Sequence, residues 1–272
     1  MQKGPPGSNR RRLMLHDLQE RTHELNKLAA ENARAVAEKA GRGVVVAGSL
    51  GPTGDLFAPL GALTEAEAVE IFAEQVAGLK AGGADVIWIE TMSAFEEIRA
   101  AALAAARHAM PYTVTASFDT AGKTMMGIAP ARLAGEALGL TPAPLAVGAN
   151  CGVGASDLLA SVLAMTAAHP DALIIAKANC GIPQWHGDHI HYSGTPELMA
   201  DYARLAIDAG ARIIGGCCGT SPEHLAAMRR ALDDYARGPR PALDDIIART
   251  GALAQAISSA DAPAPKRARR RG

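Results

Sequence analysis

Six short apolar runs recur along the chain, and longer amphipathic stretches separate them. The runs are almost continuously apolar, which is typical of parallel strands that are covered on both faces. They are GVVVAGSLG (43–51), ADVIWIETM (84–92), YTVTASFD (112–119), PLAVGANCG (144–152), ALIIAKANCG (172–181) and ARIIGGCCG (211–219). The intervening patterns predict helices over 64–83, 94–108 and 130–139, and from Ser156, Thr195 and Ser221 onward. Such repeated strand–helix units indicate a barrel or a doubly wound sheet.

Ahead of these units, residues 10–40 predict one long helix. Apolar positions there recur at helical spacings of three, four and seven residues, which predicts a stripe that faces the core. The stripe comprises Leu15, Leu18, Leu25, Leu28, Asn32 and Val36. Thr64 has the residue type and position of an N-cap for the following helix.

The length fits one large domain, such as a single barrel, or two small ones. The chain has 272 residues, and a (β/α)8 barrel typically needs ~250. The formal net charge of −1 argues against nucleic-acid binding over the whole domain. The sequence has no uninterrupted apolar stretch of ~18 residues, so no membrane span is expected. The start, MQKGPPGSNRRRL, lacks the apolar core of a signal peptide, which predicts a cytoplasmic, reducing setting.

The last part of the chain differs in composition. We predict a barrel domain over residues 1–238 and a C-terminal extension over 239–272. The extension ends in DAPAPKRARRRG (261–272), which is poor in apolar residues and rich in proline, alanine and basic residues. This composition predicts a solvated, disordered tail, with a nucleic-acid or phosphate contact as the alternative.

The cysteines carry the strongest chemical signal. Cys151, Cys180 and the adjacent pair Cys217 and Cys218 all fall at carboxyl ends of predicted strands. In a barrel these ends meet at one mouth, so Cys151 and the pair can come together. Three thiolates around Zn²⁺ leave one tetrahedral position open, which is the catalytic pattern. The alternatives are small buried apolar residues, or a redox pair that would need a strained bond between neighbours.

At these cysteines the chain resembles a known family. The segments GANC (148–151) and GGCCGTSPEHL (215–225) resemble the two zinc-ligand motifs of the homocysteine S-methyltransferase family. Other segments, such as SFDTAGKTMMG (117–127) and NCGIP (179–183), are most similar to bacterial betaine–homocysteine methyltransferases.

The resemblance implies a zinc-dependent methyl transfer. Cys151, Cys217 and Cys218 match the zinc ligands, and the sulfur of homocysteine would be the fourth. The resulting thiolate would take a methyl group from betaine and give methionine and dimethylglycine. The alternatives are another donor (methylcobalamin, S-methylmethionine or a dimethylsulfonium compound) and an inactive zinc-binding fragment of such an enzyme.

The resemblance also implies roles for two polar residues. Glu90 matches the glutamate that holds the homocysteine amino group, although a capping or ion-paired glutamate is the alternative. Asn150 precedes the first ligand and is expected in the substrate site, either steadying it or bonding only to nearby backbone. Cys180 is expected near the mouth but off the metal, because one position must stay open.

The segment WHGDHIHYSG (185–194) has three histidines and is predicted to be a loop. Clustering alone is weak evidence for a metal site, so the histidines are expected to be solvated or hydrogen-bonded. Trp185 and Tyr192 have the residue types to contact a quaternary ammonium by cation–π attraction, with loop packing as the alternative.

The chain departs from the family pattern at its start. The family begins with two further βα units, the first of which carries an Asp-Gly-Ala-Met-Gly-Thr-like motif that is absent here. The predicted fold is therefore a (β/α)8 TIM-barrel type that lacks the first two βα units and shows six parallel strands. An open barrel exposes strand edges and apolar surface, so self-association into a homo-oligomer is one expected state.

Overall fold

Six parallel strands form the central sheet of this protein. The computed structural model describes residues 7–186 and 189–254, apart from the side chains of 183–191. The sheet has the order β1-β2-β3-β4-β5-β8, and β6 and β7 form a separate antiparallel pair. The strands are β1 (Ala47–Leu50), β2 (Val86–Met92), β3 (Tyr112–Ala116), β4 (Val147–Cys151), β5 (Ile174–Ala178), β6 (Pro183–His186), β7 (His189–Tyr192) and β8 (Ile213–Gly216).

Helices connect the strands and cover the outer face of the sheet. They are α1 (Arg10–Leu13), α2 (Thr22–Glu38), α3 (Glu65–Ala81), α4 (Phe95–Arg107), α5 (Pro130–Leu138), α6 (Ala155–Ala168), α7 (Pro196–Asp208), α8 (Pro222–Leu232) and α9 (Leu243–Thr250). The predicted helix starts are confirmed to within a residue, and the Thr64 side chain accepts a hydrogen bond from the Glu67 amide as an N-cap. The core between helices and sheet is mainly aliphatic and alanine.

The sheet curls into an open portion of a (β/α) barrel. The predicted fold class is thereby confirmed: six parallel strands alternate with helices in a TIM-barrel type arrangement. Within the described residues, β1 and β8 each have one neighbouring strand in the sheet, so both outer edges are unpaired. The concave inner face is consequently a groove, with a volume of about 880 Å³.

Two layers of side chains line this inner face. Alternation along the strands directs polar residues inward near the carboxyl ends: Ser49, Glu90, Thr115, Asn150 and Lys177. Below them the lining is mostly apolar, with Trp88 the largest side chain. The polar layer therefore lies next to the strand ends that bear the cysteines.

The predicted single helix over 10–40 is wrong. The chain forms α1, two 3₁₀ turns (Met14–His16 and Gln19–Arg21) and then α2, and Asp17 adopts a left-handed conformation with φ of 56°. The apolar stripe also faces outward, because Leu15 and Val36 are mostly exposed. The buried face of α2 consists of small and polar residues: Thr22, Asn26, Ala30 and Ala37.

Close helix contact explains that inversion. Gly78 of α3 and Gly82, which caps α3, face the backbone of α2, and a Cβ at Gly82 would lie 2.2 Å from the carbonyl oxygen of Lys27. At such a separation leucine side chains do not fit between the helices. Small residues therefore form the contact, and the larger apolar residues point away from it.

The segment 185–194 is also different from its prediction, since it contributes to a hairpin rather than a loop. Strands β6 and β7 pair antiparallel, with Trp185 opposite Ile190. In the sequence, Gly187 and Asp188 are residue types favoured in two-residue hairpin turns, and this pattern could have predicted the hairpin.

The C-terminal extension begins with structure. Helix α9 packs against α6 and α7, and its Ile246 is fully buried. The predicted disordered tail, 261–272, lies outside the described residues. Among the residues that are described, no helix combines the length and apolar content needed to cross a bilayer.

Candidate metal centre

Three cysteine side chains converge at the carboxyl end of the sheet. Cys151 is the last residue of β4, and Cys217 and Cys218 directly follow β8. Their Sγ atoms all lie within 4.8 Å of one another, and those of Cys151 and Cys218 are 4.0 Å apart. Strand β5 separates β4 from β8, so the predicted meeting of alternate strands at the mouth is confirmed.

The sulfur geometry fits a tetrahedral metal ion. Zinc–sulfur bonds of about 2.3 Å place two thiolates of a tetrahedron about 3.8 Å apart, close to the separation between Cys151 and Cys218. All the cysteines are free thiols rather than disulfides. Cys218 is exposed whereas Cys151 and Cys217 are half-buried, so the cluster is open on one side. Three soft donors with an accessible face suit a metal that retains a position for substrate.

The backbone at the first cysteine adopts a conformation that few residues tolerate. Cys151 has a φ of 62° and Gly152 a φ of 72°, both left-handed. Thr91, which follows Glu90 at the end of β2, has a φ of 63° despite its branched side chain. Left-handed non-glycine residues cost free energy and concentrate at functional sites. Thr91 and Cys151 are two such residues, and both lie at the carboxyl end of the sheet.

Asn150 ties the cluster to the neighbouring strands. Its Oδ1 accepts hydrogen bonds from the Thr91 amide (2.8 Å) and the Thr115 hydroxyl (2.6 Å). Its Nδ2 donates to the Thr91 hydroxyl (2.8 Å) and lies 3.8 Å from the Cys217 sulfur. The amide is thus occupied on both sides by protein groups, and it orients Cys217.

Asn179, which the sequence did not single out, joins the two cysteine segments. Its Nδ2 donates to the Gly152 carbonyl (2.7 Å), and its Oδ1 accepts from the Cys218 amide (3.1 Å). The side chain is buried and lies just beyond β5, between the strands that supply the thiols. It therefore sets the distance between Cys151 and the pair. Its only sequence signal was its position at a strand end.

Electrostatics within the cluster favour a cation. Hydrogen bonds to Cys217 and Cys218, with burial, raise the pKa of the Cys151 thiol far above its usual range. At Cys218 the hydrogen bond from Cys151 lowers the pKa, but Cys217 and burial outweigh it and the net shift is upward. Three thiolates this close repel one another, so a metal ion would stabilise them by its charge.

Glu90 is buried in an ion pair beneath the cysteines. The Lys177 ammonium donates to its Oε2 at 2.8 Å, and the Ser49 hydroxyl donates to Oε1. The side chains of Lys177 and Glu90 are 5% and 1% exposed. Lys177 also lies over the Trp88 ring, with its Nζ 4.8 Å from the centroid. Lys177 was not predicted as a site residue, since a lysine in an apolar strand gives no motif.

Cys180 stays off the cluster, as predicted. It is fully buried, and its sulfur donates to the Gly194 carbonyl at 3.3 Å. Burial raises the pKa of this thiol. Cys180 belongs instead to the packing that attaches the hairpin to the sheet.

Tyr192 lies at the edge of the cluster. Its ring packs on Gly219, where a Cβ would come within 2.4 Å of the ring. Burial, together with the neighbouring Cys218 thiol, raises the pKa of the Tyr192 hydroxyl to about 12. The side chains of Trp185, His186, His189 and His191 are not described by the structure, so the expectations for them stay predictions.

A barrel-type sheet with three converging thiols at its carboxyl end defines a class of protein with a candidate thiol-ligated metal site. A sequence profile of this class, the family Homocysteine S-methyltransferase, matches residues 7–232, which include all three thiols. The chain therefore belongs to the homocysteine S-methyltransferase family.

Known proteins agree with this assignment. Methionine synthase of Mycobacterium tuberculosis is 29% identical in an alignment of 247 positions that covers 86% of this chain. The chain spans about a fifth of that relative, since the match covers 20% of its length. Solved structures of the homocysteine methyltransferase MmuM from Escherichia coli, in oxidized and metallated forms, share 22% identity with a TM-score of 0.68. They match over 84% of this chain and 77% of theirs, which shows the same fold.

Proposed function

We propose that this protein transfers a methyl group from betaine to the thiol of homocysteine with the help of Zn²⁺, giving methionine and dimethylglycine. The observation that carries the proposal is the convergence of Cys151, Cys217 and Cys218 within 4.8 Å, with one side open. Family membership supports the thiol acceptor. The metallated form of MmuM supports a metal in a related barrel.

The three cysteines would hold the zinc ion. When bound, it would lower the pKa of the homocysteine thiol so that a thiolate is present at neutral pH. Asn150 and Asn179 keep the three sulfurs at their separations, because each bridges the strand ends that carry them. The open side of the cluster, beside exposed Cys218, admits the substrate sulfur.

Glu90 would bind the ammonium of homocysteine. It lies on β2 at the polar layer directly below the thiols, and a carboxylate is the natural partner of an ammonium. Ser49 holds one of its oxygens and leaves the other directed toward Lys177. The substrate would then extend from Glu90 upward to the cysteines.

Tyr192 supports an onium donor. Its ring stands beside Cys218 at the open side, where the methyl group must arrive. An aromatic face attracts a quaternary ammonium by cation–π interaction. In the transfer, the sulfur forms a bond to the methyl carbon while the nitrogen–methyl bond breaks, and its electron pair returns to nitrogen. The nitrogen thereby becomes a tertiary amine, and dimethylglycine is the product.

Methionine formation tests the proposal. Zinc-loaded protein is incubated with L-homocysteine and, separately, betaine, S-methylmethionine, dimethylsulfonioacetate or methylcobalamin. We expect methionine with betaine, and loss of the product in Cys217→Ala. Methionine from another donor alone would contradict the choice of betaine. A zinc-loaded protein that gives no methionine with any donor would contradict the enzymatic function and favour a zinc-binding remnant.

A further inference from the structure

Lys177 lies on the inner face of the sheet, next to the strand ends that bear the cysteines. It lies on β5, between the two strands that supply the thiols, opposite Asn150 on one side and Gly215 on the other. Its side chain lines the groove together with Cys217 and Trp88. A lysine at this position faces whatever binds below the thiols.

Burying the ion pair of Lys177 and Glu90 costs desolvation free energy, so stability alone does not explain it. Both side chains are at most 5% exposed, so both charges have lost most of their hydration. Buried ion pairs often stabilise a fold no better than apolar residues of similar size. Trp88 offsets part of the cost by a cation–π contact. The pair therefore points to a ligand that uses these charges.

Homocysteine has charges that match the pair. It is a zwitterion, so it brings an ammonium and a carboxylate on the same carbon. If Glu90 takes the ammonium, as the proposed function holds, the carboxylate on the same carbon comes close to Lys177, whose Nζ is 2.8 Å from the Glu90 carboxylate. Gly215, next to Lys177, has no side chain, and a Cβ there would contact the lysine Cγ at 3.5 Å and no second side chain of the described residues. The flexible stem of lysine allows the ammonium to move toward that space.

We infer that Lys177 binds the carboxylate of the amino-acid thiol, while Glu90 binds its ammonium. The ion pair opens around the zwitterion, and each charge exchanges one partner for another. The site thereby selects thiols that carry both an ammonium and a carboxylate. This inference rests on the proposed function and adds a specificity residue to it.

Binding of partial ligands tests the inference. Calorimetry on zinc-loaded protein compares L-homocysteine with 3-aminopropanethiol, which lacks the carboxylate, and with 4-sulfanylbutanoate, which lacks the ammonium. We expect wild-type protein to prefer homocysteine over 3-aminopropanethiol by roughly 10- to 100-fold, the worth of a hydrogen bond to a charged group. Lys177→Met should bring that ratio close to one. Glu90→Gln should do the same for the ratio against 4-sulfanylbutanoate.

Two further variants serve as controls for the binding comparison. Lys80→Met removes a surface lysine that donates to the His108 carbonyl, and it should leave both ratios unchanged. The double variant Lys177→Met/Glu90→Gln removes both charges of this ion pair together. If a single variant fails to fold, the double variant should bind homocysteine no better than 1-propanethiol.

The outcomes separate the two proposals. An unchanged ratio in Lys177→Met, or no wild-type preference over 3-aminopropanethiol, would overturn the role of Lys177 while homocysteine binding still stands. A double variant that retains the preference for homocysteine over 1-propanethiol would overturn it equally. If zinc-loaded wild-type protein binds none of the three thiols, the proposed function falls and this inference falls with it.

Discussion

The two ends of the barrel interior are built differently. At the carboxyl end, Asn150 and Asn179 bridge neighbouring strands, and Glu90 is paired with Lys177. At the amino end, Leu145 and Leu173 stand half-exposed at 57% and 50%. The Trp88 Nε1 and Thr113 Oγ1 atoms lie buried in the groove without a hydrogen-bond partner among the described residues.

This difference indicates which end of the barrel holds the metal-binding residues and which end exposes apolar surface. Strands β4, β5 and β8 and the turns after them assemble the thiols, although β8 is itself an open edge of the sheet. The amino end, in contrast, has apolar surface and unpartnered polar atoms that a closed barrel would cover. We therefore expect metal binding to depend on the carboxyl end and self-association to depend on the amino end.

The largest expected effect is the loss of metal on removal of a thiol. Cys217→Ala should reduce zinc affinity by about 100-fold or more, because a three-thiol site becomes a two-thiol site. Metal analysis of the purified protein should give about one zinc per chain in wild type and almost none in the variant.

Cys180→Ala is the matched control for that loss. Its thiol bonds to the Gly194 carbonyl and is buried away from the cluster, so the variant should retain the full zinc content. Zinc loss in Cys180→Ala would mean that the ligand set is wrong.

A smaller effect is expected at the bridge between the cysteine segments. Asn179→Ala removes the bonds to the Gly152 carbonyl and the Cys218 amide, which should weaken zinc binding by about 10- to 100-fold. Competition with a chromophoric chelator measures the affinity. Asn26→Ala, at a buried asparagine of α2 bonded to Thr22 and Ser8, should reduce stability but not zinc affinity. Equal zinc affinities in the two variants would contradict a bridging role.

The amino end offers the complementary test. Leu145→Lys/Leu173→Lys places charges on the exposed apolar rim and should weaken self-association by about tenfold or more, since these side chains then resist burial. Light scattering over a concentration series measures the change. Leu103→Lys, on the outer helix α4 with a similar exposure, should have little effect. If Leu103→Lys disrupts association more strongly, the groove is not the associating surface.

The smallest expected effect is a pH-dependent change of stability at Glu97. Burial raises the pKa of this carboxyl above the ordinary 4.5, although Thr53 donates to it through its amide and hydroxyl. An acid with a raised pKa in the folded state costs stability when ionised, and the cost disappears as pH falls toward the ordinary value. Glu97→Gln should therefore be more stable than wild type at neutral pH, with a difference that narrows in acid. A difference that grows in acid would contradict the sign.

The repeated apolar runs were sufficient to predict the six parallel strands of the sheet, because parallel strands buried on both faces have a pattern that loops lack. The long N-terminal helix was mispredicted because Gly78 and Gly82, far along the chain, decide which face of α2 is buried. Such a contact is not visible in the periodicity of α2 itself.

The metal site was partly predictable for a related reason. Adjacent cysteines at strand ends form a motif, whereas Asn179 and Lys177 gain their importance only from the strands that flank β5. Their roles depend on contacts across 27 and 87 residues of sequence. Residue type and local pattern alone do not encode those contacts.

Zinc X-ray absorption, recorded before and after homocysteine is added, tests most directly whether the three cysteines form an open zinc site. We expect zinc to have three sulfur neighbours at about 2.3 Å and one lighter atom in the free protein, and four sulfur neighbours once homocysteine is bound. Four sulfurs before the substrate is added, or three that remain unchanged at saturating homocysteine, would contradict an open three-cysteine site that receives the substrate thiol.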